Sequence, residues 1–140
     1  MTESDCVFCK IVSGQIPSLK IFENNDVLAF LDINPISDGH TLVIPKSHYV
    51  RLHECPVETL VEVSKVIKTL AEAVAGAMGT EDYNVLCNNG SAAGQVVKHL
   101  HFHIIPRKAG DGVFNRWPAY QYPDRKAVVI ADKIRKNLKL

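Results

Sequence analysis

The sequence predicts an α+β fold: a mainly antiparallel five-stranded sheet with one long central helix and a short C-terminal helix. Three observations predict it. Short β-prone runs are separated by turn-forming residues, one long stretch repeats its apolar residues with helical period, and strand-like segments lie both before and after that stretch.

The elements follow in chain order. "LKIFENNDVLAFLD" reads as two strands joined at Asn-Asn-Asp, because turn formers separate two apolar, aromatic-rich runs. "INPISDGH" is a second turn region, and "TLVIP" after it is a short strand closed by Pro45. The long helix starts near Pro56, where proline suits a first turn and Glu58 suits the helix dipole. Leu60, Val63, Ile67, Leu70, Val74 and Met78 recur at steps of three and four and make one apolar face, which Gly79 ends. "YNVLCN" reads as a strand, "NGSAAGQ" as a glycine-containing loop and "KHLHFHIIPR" as the last strand. A loop rich in Gly, Pro and aromatics, "RKAGDGVFNRWPAYQYPD", leads to a helix over 125–138. The basic cluster "KIRKNLK" is the wet face of that helix, and His53 is expected in solvent.

With 140 residues the chain has room for one domain, expected to span 1–140. A formal net charge of +1 argues against a basic nucleic-acid stripe, so no nucleic-acid partner is expected. Asp5 and Lys10 interrupt the N-terminus where a signal peptide needs an apolar run, and no apolar run is longer than the five residues of "AVVIA", too short to span a membrane. The expected location is cytoplasmic, with the nucleus also open, and no membrane partner is expected. There the four cysteines, Cys6, Cys9, Cys55 and Cys87, are thiols or metal ligands rather than disulfides.

Three of the six histidines stand at alternate positions of one short segment, His99, His101 and His103. In a strand, same-face neighbours are roughly 6–7 Å apart, so the three line one face while Leu100, Phe102 and Ile104 turn to the core. A wet strand edge explains this poorly, because Thr, Lys or Glu would serve it equally. A three-histidine catalytic metal site is a second use. The third is nucleophilic catalysis: a neutral imidazole attacks phosphorus without a separate base while its neighbours orient it, hold phosphoryl oxygens and pass protons. "NNGSAAGQVV" favours the third, since its glycines let backbone N–H groups approach an anion. No "GKS" or "GKT" follows in it, so a P-loop reading fails.

"HLHFHII" resembles the His-φ-His-φ-His-φ-φ pattern (φ apolar) of the histidine triad, or HIT, superfamily. "CVFCKIVSGQIPS", "VLAFLDINPISDGHTLVIPKSH", "YNVLCNNG" and "RWPA" are similar to segments of its Hint branch, the nucleoside phosphoramidases. The resemblance implies a hydrolase that cleaves adenosine 5′-monophosphoramidates to AMP and amine through a nucleotidyl-histidine. It implies His101 as nucleophile, His103, Gly94, Gln95 and Asn88 around the phosphate, and His40 beside the nucleophile, tuning its tautomer. It also implies Asp32 on the ribose hydroxyls and Phe8, Ile11, Phe30 and Ile33 around a purine base; for these apolar residues plain core packing is the competing reading. Val96 departs from the serine of many Hint proteins and offers only its backbone N–H. "GQVVKHLHFHIIPRKAGD" also resembles the dinucleoside polyphosphate hydrolases, which keeps that substrate class open. A nucleotide-binding scaffold is the reading from outside enzymology.

The resemblance extends to a second site. "CVFC" alone is a weak zinc signal, but zinc-bearing HIT proteins combine such a pair with histidines matching His48 and His99. A redox Cys-x-x-Cys and two plain thiols are the alternatives. A zinc ion on Cys6, Cys9, His48 and His99 would be structural, and His99 could not then protonate the leaving group as well. Hint proteins are homodimers with the sheet continued across the interface and a tryptophan near the position of Trp117 approaching the partner's site, so the same is expected here.

Overall fold

A computed structural model describes residues 3–114 and 116–139. Five strands form one antiparallel sheet: β1 (Lys20–Glu23), β2 (Val27–Leu31), β3 (Thr41–Pro45), β4 (Tyr83–Leu86) and β5 (Phe102–Pro106), in the order β1-β2-β3-β5-β4. Three helices accompany it: α1 (Val7–Val12), α2 (Val57–Ala77) and α3 (Lys126–Asn137). No helix among the described residues is long and apolar enough to cross a membrane.

Both faces of the sheet are covered, which is why β2 and β3 read as continuous apolar runs. Alternation sends Val27, Ala29, Val43 and Ile104 to one side, where they pack on Val63, Val66, Leu70, Ala71 and Val74 of α2. Leu28, Phe30, Leu42 and Ile44 point to the other side and meet Cys6, Phe8 and Ile11 at α1. The buried stripe of α2 is rotated slightly from the expected one. Leu60, Ile67 and Met78 lie at its margin, and small Ala71 and Ala75 take the centre, letting the helix close on β3 and β5. The Asn-Asn-Asp turn forms as expected, with Asn24 Oδ1 accepting the Asp26 and Val27 amides at 2.9 and 2.8 Å.

One local expectation is corrected, and one segment to which the sequence assigns no element proves helical. Strand β5 begins at Phe102, not at Lys98. Before it the chain bends: the Leu100 amide donates to the Tyr49 carbonyl at 2.6 Å, and His99 is drawn toward the N-terminal segment. The segment around "CVFC" is helical, starting at Cys6, whose Sγ accepts the Cys9 amide at 3.4 Å. Such a six-residue helix cannot stand alone in water, so tertiary contacts hold it.

Candidate active site and thiol–imidazole cluster

The face of the sheet under α1 opens into a cavity of about 440 Å³. Phe8, Ile11, Phe30, Asp32, Ile33, Gly94, Val96, His101 and His103 all line it, as do Val7, Ile16, Pro17, Ser18, Leu31, Asn34, Leu42 and Val97. Register explains the convergence. His103 pairs with Leu42, and Leu42 with Phe30, and directly paired residues share a face. Phe8 closes the wall from α1, edge-on to Phe30 (5.5 Å between centroids) and to His101 (5.1 Å).

Hydrogen bonds fix the tautomers. His101 Nδ1 lies 2.7 Å from the His99 carbonyl, which only accepts, so the proton sits on Nδ1 and Nε2 keeps its lone pair. His40 Nδ1 accepts the Ile36 amide at 3.2 Å, so its proton is on Nε2 and is donated to His103 Nδ1 at 2.8 Å. His103 therefore carries its own proton on Nε2, which is buried without a protein partner. The result is a directed relay from Ile36 through His40 to a donor on the cavity wall.

Burial keeps these rings neutral. It pushes His103 down to about 4, with His101 and His40 adding to the effect. It also lowers His101, against the hydrogen bond to His99, and His40, against the nearby charge of Asp32. Asp32 Oδ2 stands 3.7 Å from His40 Nε2, while Oδ1 accepts the Asn34 amide at 2.8 Å.

Gln95 ties the loop beside the histidines to the rest of the chain, alongside Asn89, whose Oδ1 accepts the Leu52 amide at 2.7 Å. Gln95 is buried: its Oε1 accepts the Gly90 amide, its Nε2 donates to the Val50 carbonyl, both at 2.8 Å, and its own amide is bonded to the Gly90 carbonyl at 3.1 Å. Gln95 thus shapes the loop from behind instead of lining the cavity. Asn88 also lies behind it, its Nδ2 within 3.6 Å of where a Gly94 Cβ would stand. Gly94 adopts φ +91°, a conformation that suits glycine, and so keeps the loop close to the cavity. Val96 is 89% exposed at the mouth. Ser18 was not expected here; its hydroxyl is buried on the wall without a partner, and nothing in "QIPSLK" marks it.

A second cluster lies under the first. Cys6, Cys9, His48 and His99 bring their ligand atoms within 4.8 Å of one another. His99 is fully buried, and its Nε2–H donates to the Pro45 carbonyl at 2.8 Å, which turns the Nδ1 lone pair toward the cluster. From that Nδ1, Cys6 Sγ is 3.4 Å away, Cys9 Sγ 3.5 Å and His48 Nδ1 3.2 Å, while Cys9 Sγ to His48 Nδ1 is 3.3 Å. Metal–nitrogen bonds of about 2.0–2.1 Å and metal–sulfur bonds of about 2.3 Å give a tetrahedron nitrogen–nitrogen and nitrogen–sulfur edges of about 3.3–3.6 Å, so this donor set fits a tetrahedral cation. Burial, and then Cys6 alongside, pushes the Cys9 thiol up to about 12, a preference for the neutral form that a bound cation reverses. Asp32, His40 and His103 also lie within 4.8 Å of one another, but there His40 and His103 are already hydrogen bonded.

Comparison with known proteins agrees with this geometry. The HIT domain family model matches residues 13–110. The chain is similar to a HIT-like protein of Methanocaldococcus jannaschii, 52% identical over 107 residues that cover 76% of this chain and 82% of that one. It is also similar to the adenosine 5′-monophosphoramidase of Schizosaccharomyces pombe, 42% identical over 135 residues, 96% of this chain and 98% of the relative. A crystal structure of a HIT family protein from Bacillus subtilis superposes with a TM-score of 0.88 at 38% identity, covering 97% of this chain and 99% of the other. The triad His99, His101 and His103, its loop and its cavity thus belong to a member of the HIT domain family.

Proposed function

We propose that the protein hydrolyses adenosine 5′-monophosphoramidates, releasing AMP and an amine through a nucleotidyl group carried on His101. The observation that supports this reading is the tautomer of His101: Nδ1–H is tied to the His99 carbonyl, so Nε2 keeps its lone pair, and the residue lines the cavity. Its lone pair attacks the α-phosphorus, and the phosphorus–nitrogen bond to the amine breaks as that nitrogen takes a proton from solvent at the cavity mouth. Water then attacks the phosphorus, His101 Nε2 leaves with the bonding pair, and AMP is released. His103 Nε2–H is the unsatisfied donor for the phosphoryl oxygens as charge grows on them. Asp32 on the cavity wall supports a reading in which its carboxylate accepts from the ribose hydroxyls, and the apolar Phe8, Ile11, Phe30 and Ile33 beside it support a slot for the purine.

Zinc is the cation we assign to Cys6, Cys9, His48 and His99. Two sulfurs and two imidazoles suit it, and with all four positions taken by protein its part is structural. The same reading makes the protein a homodimer. Edge strand β4 presents Tyr83 and Val85 to solvent, 44% and 42% exposed, and a second copy pairing there would continue the sheet. Cys6 and Cys9 as zinc thiolates, with Cys55 and Cys87 as thiols, suit a reducing compartment such as the cytoplasm.

The test is direct turnover. Adenosine phosphoramidate and diadenosine triphosphate are supplied to one preparation, and AMP release is followed. Preferential cleavage of the phosphoramidate supports the proposal. Preference for the dinucleotide moves the protein to the polyphosphate hydrolases, and AMP binding with no turnover of either makes it a binding protein.

A further inference from the structure

His99 belongs to two sites at once. Its ring faces the thiol–imidazole cluster through Nδ1, and its backbone carbonyl accepts the Nδ1–H of His101 at 2.7 Å. The ring is fixed from the far side by the Pro45 carbonyl at the end of β3. This residue precedes β5, so no strand pairing holds its peptide in place. What holds it is the pair of ring contacts and the amide of Leu100 on Tyr49.

Helix α1 has a similar double attachment. Cys6 caps it and Cys9 sits one turn in, both on the cluster, and between them Phe8 lies edge-on to His99 (5.9 Å) and His101 (5.1 Å). Six residues are too few for a self-supporting helix, so the placement of Phe8 depends on whatever fixes those sulfurs, together with the packing beneath. The cluster therefore touches the nucleophile twice: by backbone through His99, and by side chain through Phe8.

We infer that Cys6 and Cys9 are positioning residues for the nucleotide site: metal occupancy of the Cys6–Cys9–His48–His99 cluster sets the orientation of His101 and the affinity for nucleotide. This rests on the assignment of His101 as nucleophile, but it reaches beyond a metal that only stabilises the fold. A purely structural metal changes the melting temperature and leaves the folded site as it was. A positioning metal changes the site in molecules that are still folded.

The experiment compares the protein as purified, after chelation, and after return of one equivalent of Zn²⁺. Metal content is measured by elemental analysis and folding by circular dichroism. AMP affinity is measured by calorimetry, and the His101 tautomer by ¹⁵N-edited NMR of the imidazoles. Chelation is expected to weaken AMP binding at least tenfold and to remove the protected Nδ1–H signal of His101 while the helical signal persists, with Zn²⁺ restoring both. Where full chelation melts the chain, Cys9→Ser serves instead, because it weakens the cluster and keeps the Cys6 cap. There AMP affinity should rise with added Zn²⁺ at constant fold. Unchanged AMP affinity and an unchanged His101 signal in folded, metal-free protein overturn the inference. Neither readout needs turnover. Metal-dependent AMP binding without phosphoramidase activity would keep the inference and remove the function proposed above.

Discussion

His40 donates from Nε2 to Nδ1 of His103 across 2.8 Å, and that one bond decides which nitrogen of His103 faces the cavity with a proton. The direction is set from behind, where the Ile36 amide occupies His40 Nδ1. Replacing His40 by Leu removes the donor and frees His103 to take the other tautomer. We expect kcat to fall about 100-fold, the lower end of what a positioned proton-transfer group contributes. His40→Gln, whose amide can still donate, should recover much of the loss. Equal losses in both variants would show that His40 acts only by filling space.

The pH dependence has a definite sign. Burial lowers His101 from the ordinary histidine value, so the nucleophile stays neutral into mild acid, and kcat/KM should hold through pH 6.5 and fall only below it. A limb centred above pH 6.5 would mean a protonated, solvated His101.

Stability should follow the same rings. His103 titrates near 4 in the fold and near 6.5 in the unfolded chain, so between those values the unfolded state binds more protons. Its contribution is whole above about pH 6.5 and is lost as pH falls toward 4, roughly 3 kcal/mol for this residue. Urea unfolding at pH 7 and pH 4.5 checks this. An unchanged midpoint would contradict a buried neutral His103.

Asp32 is expected to act through the ribose. Asp32→Asn should raise KM with kcat little changed, by about 10- to 100-fold for the loss of a charged hydrogen bond of about 1.5–3 kcal/mol. The effect should vanish with a 2′-deoxy substrate, because the partner hydroxyl is then absent in both proteins. An equal loss with both substrates would place Asp32 with His40 instead.

Gln95→Ala strands the Gly90 amide and the Val50 carbonyl, each of which Gln95 now bonds at 2.8 Å. The expected cost is about 1–3 kcal/mol of stability together with weaker AMP binding, as the loop loses its rear support. Full stability with lost binding would mean that Gln95 meets the phosphate itself.

The sequence announces some of these features and hides others for physical reasons. Turn chemistry exposed β1 and β2, and helical period exposed α2, because each signal is local. Helix α1 stayed hidden: "VFCKIV" is short and carries β-branched residues, and its cap is a sulfur rather than a Ser, Thr or Asp side chain. The spacing of two turned Leu100, Phe102 and Ile104 to the core, where Leu100 is buried and the other two pack against α2, but overextended the strand to His99. That error arose because a ring drawn to the cluster and a Leu100–Tyr49 bond are long-range effects. Residue types named His40, Asp32 and the cluster cysteines through a resemblance. The relay between His40 and His103, 63 residues apart, needed the sheet register to appear. Gln95 was legible as a loop residue, yet which way its amide faces depends on Val50, far away in sequence.

The most direct test of nucleophilic His101 is rapid-quench mass spectrometry of turnover, kept out of acid. An AMP-sized mass increment on the peptide that contains His101, formed and lost at catalytically competent rates and absent in His101→Ala, is the expected result. The same increment on any other side chain, or undiminished turnover by His101→Ala, contradicts it.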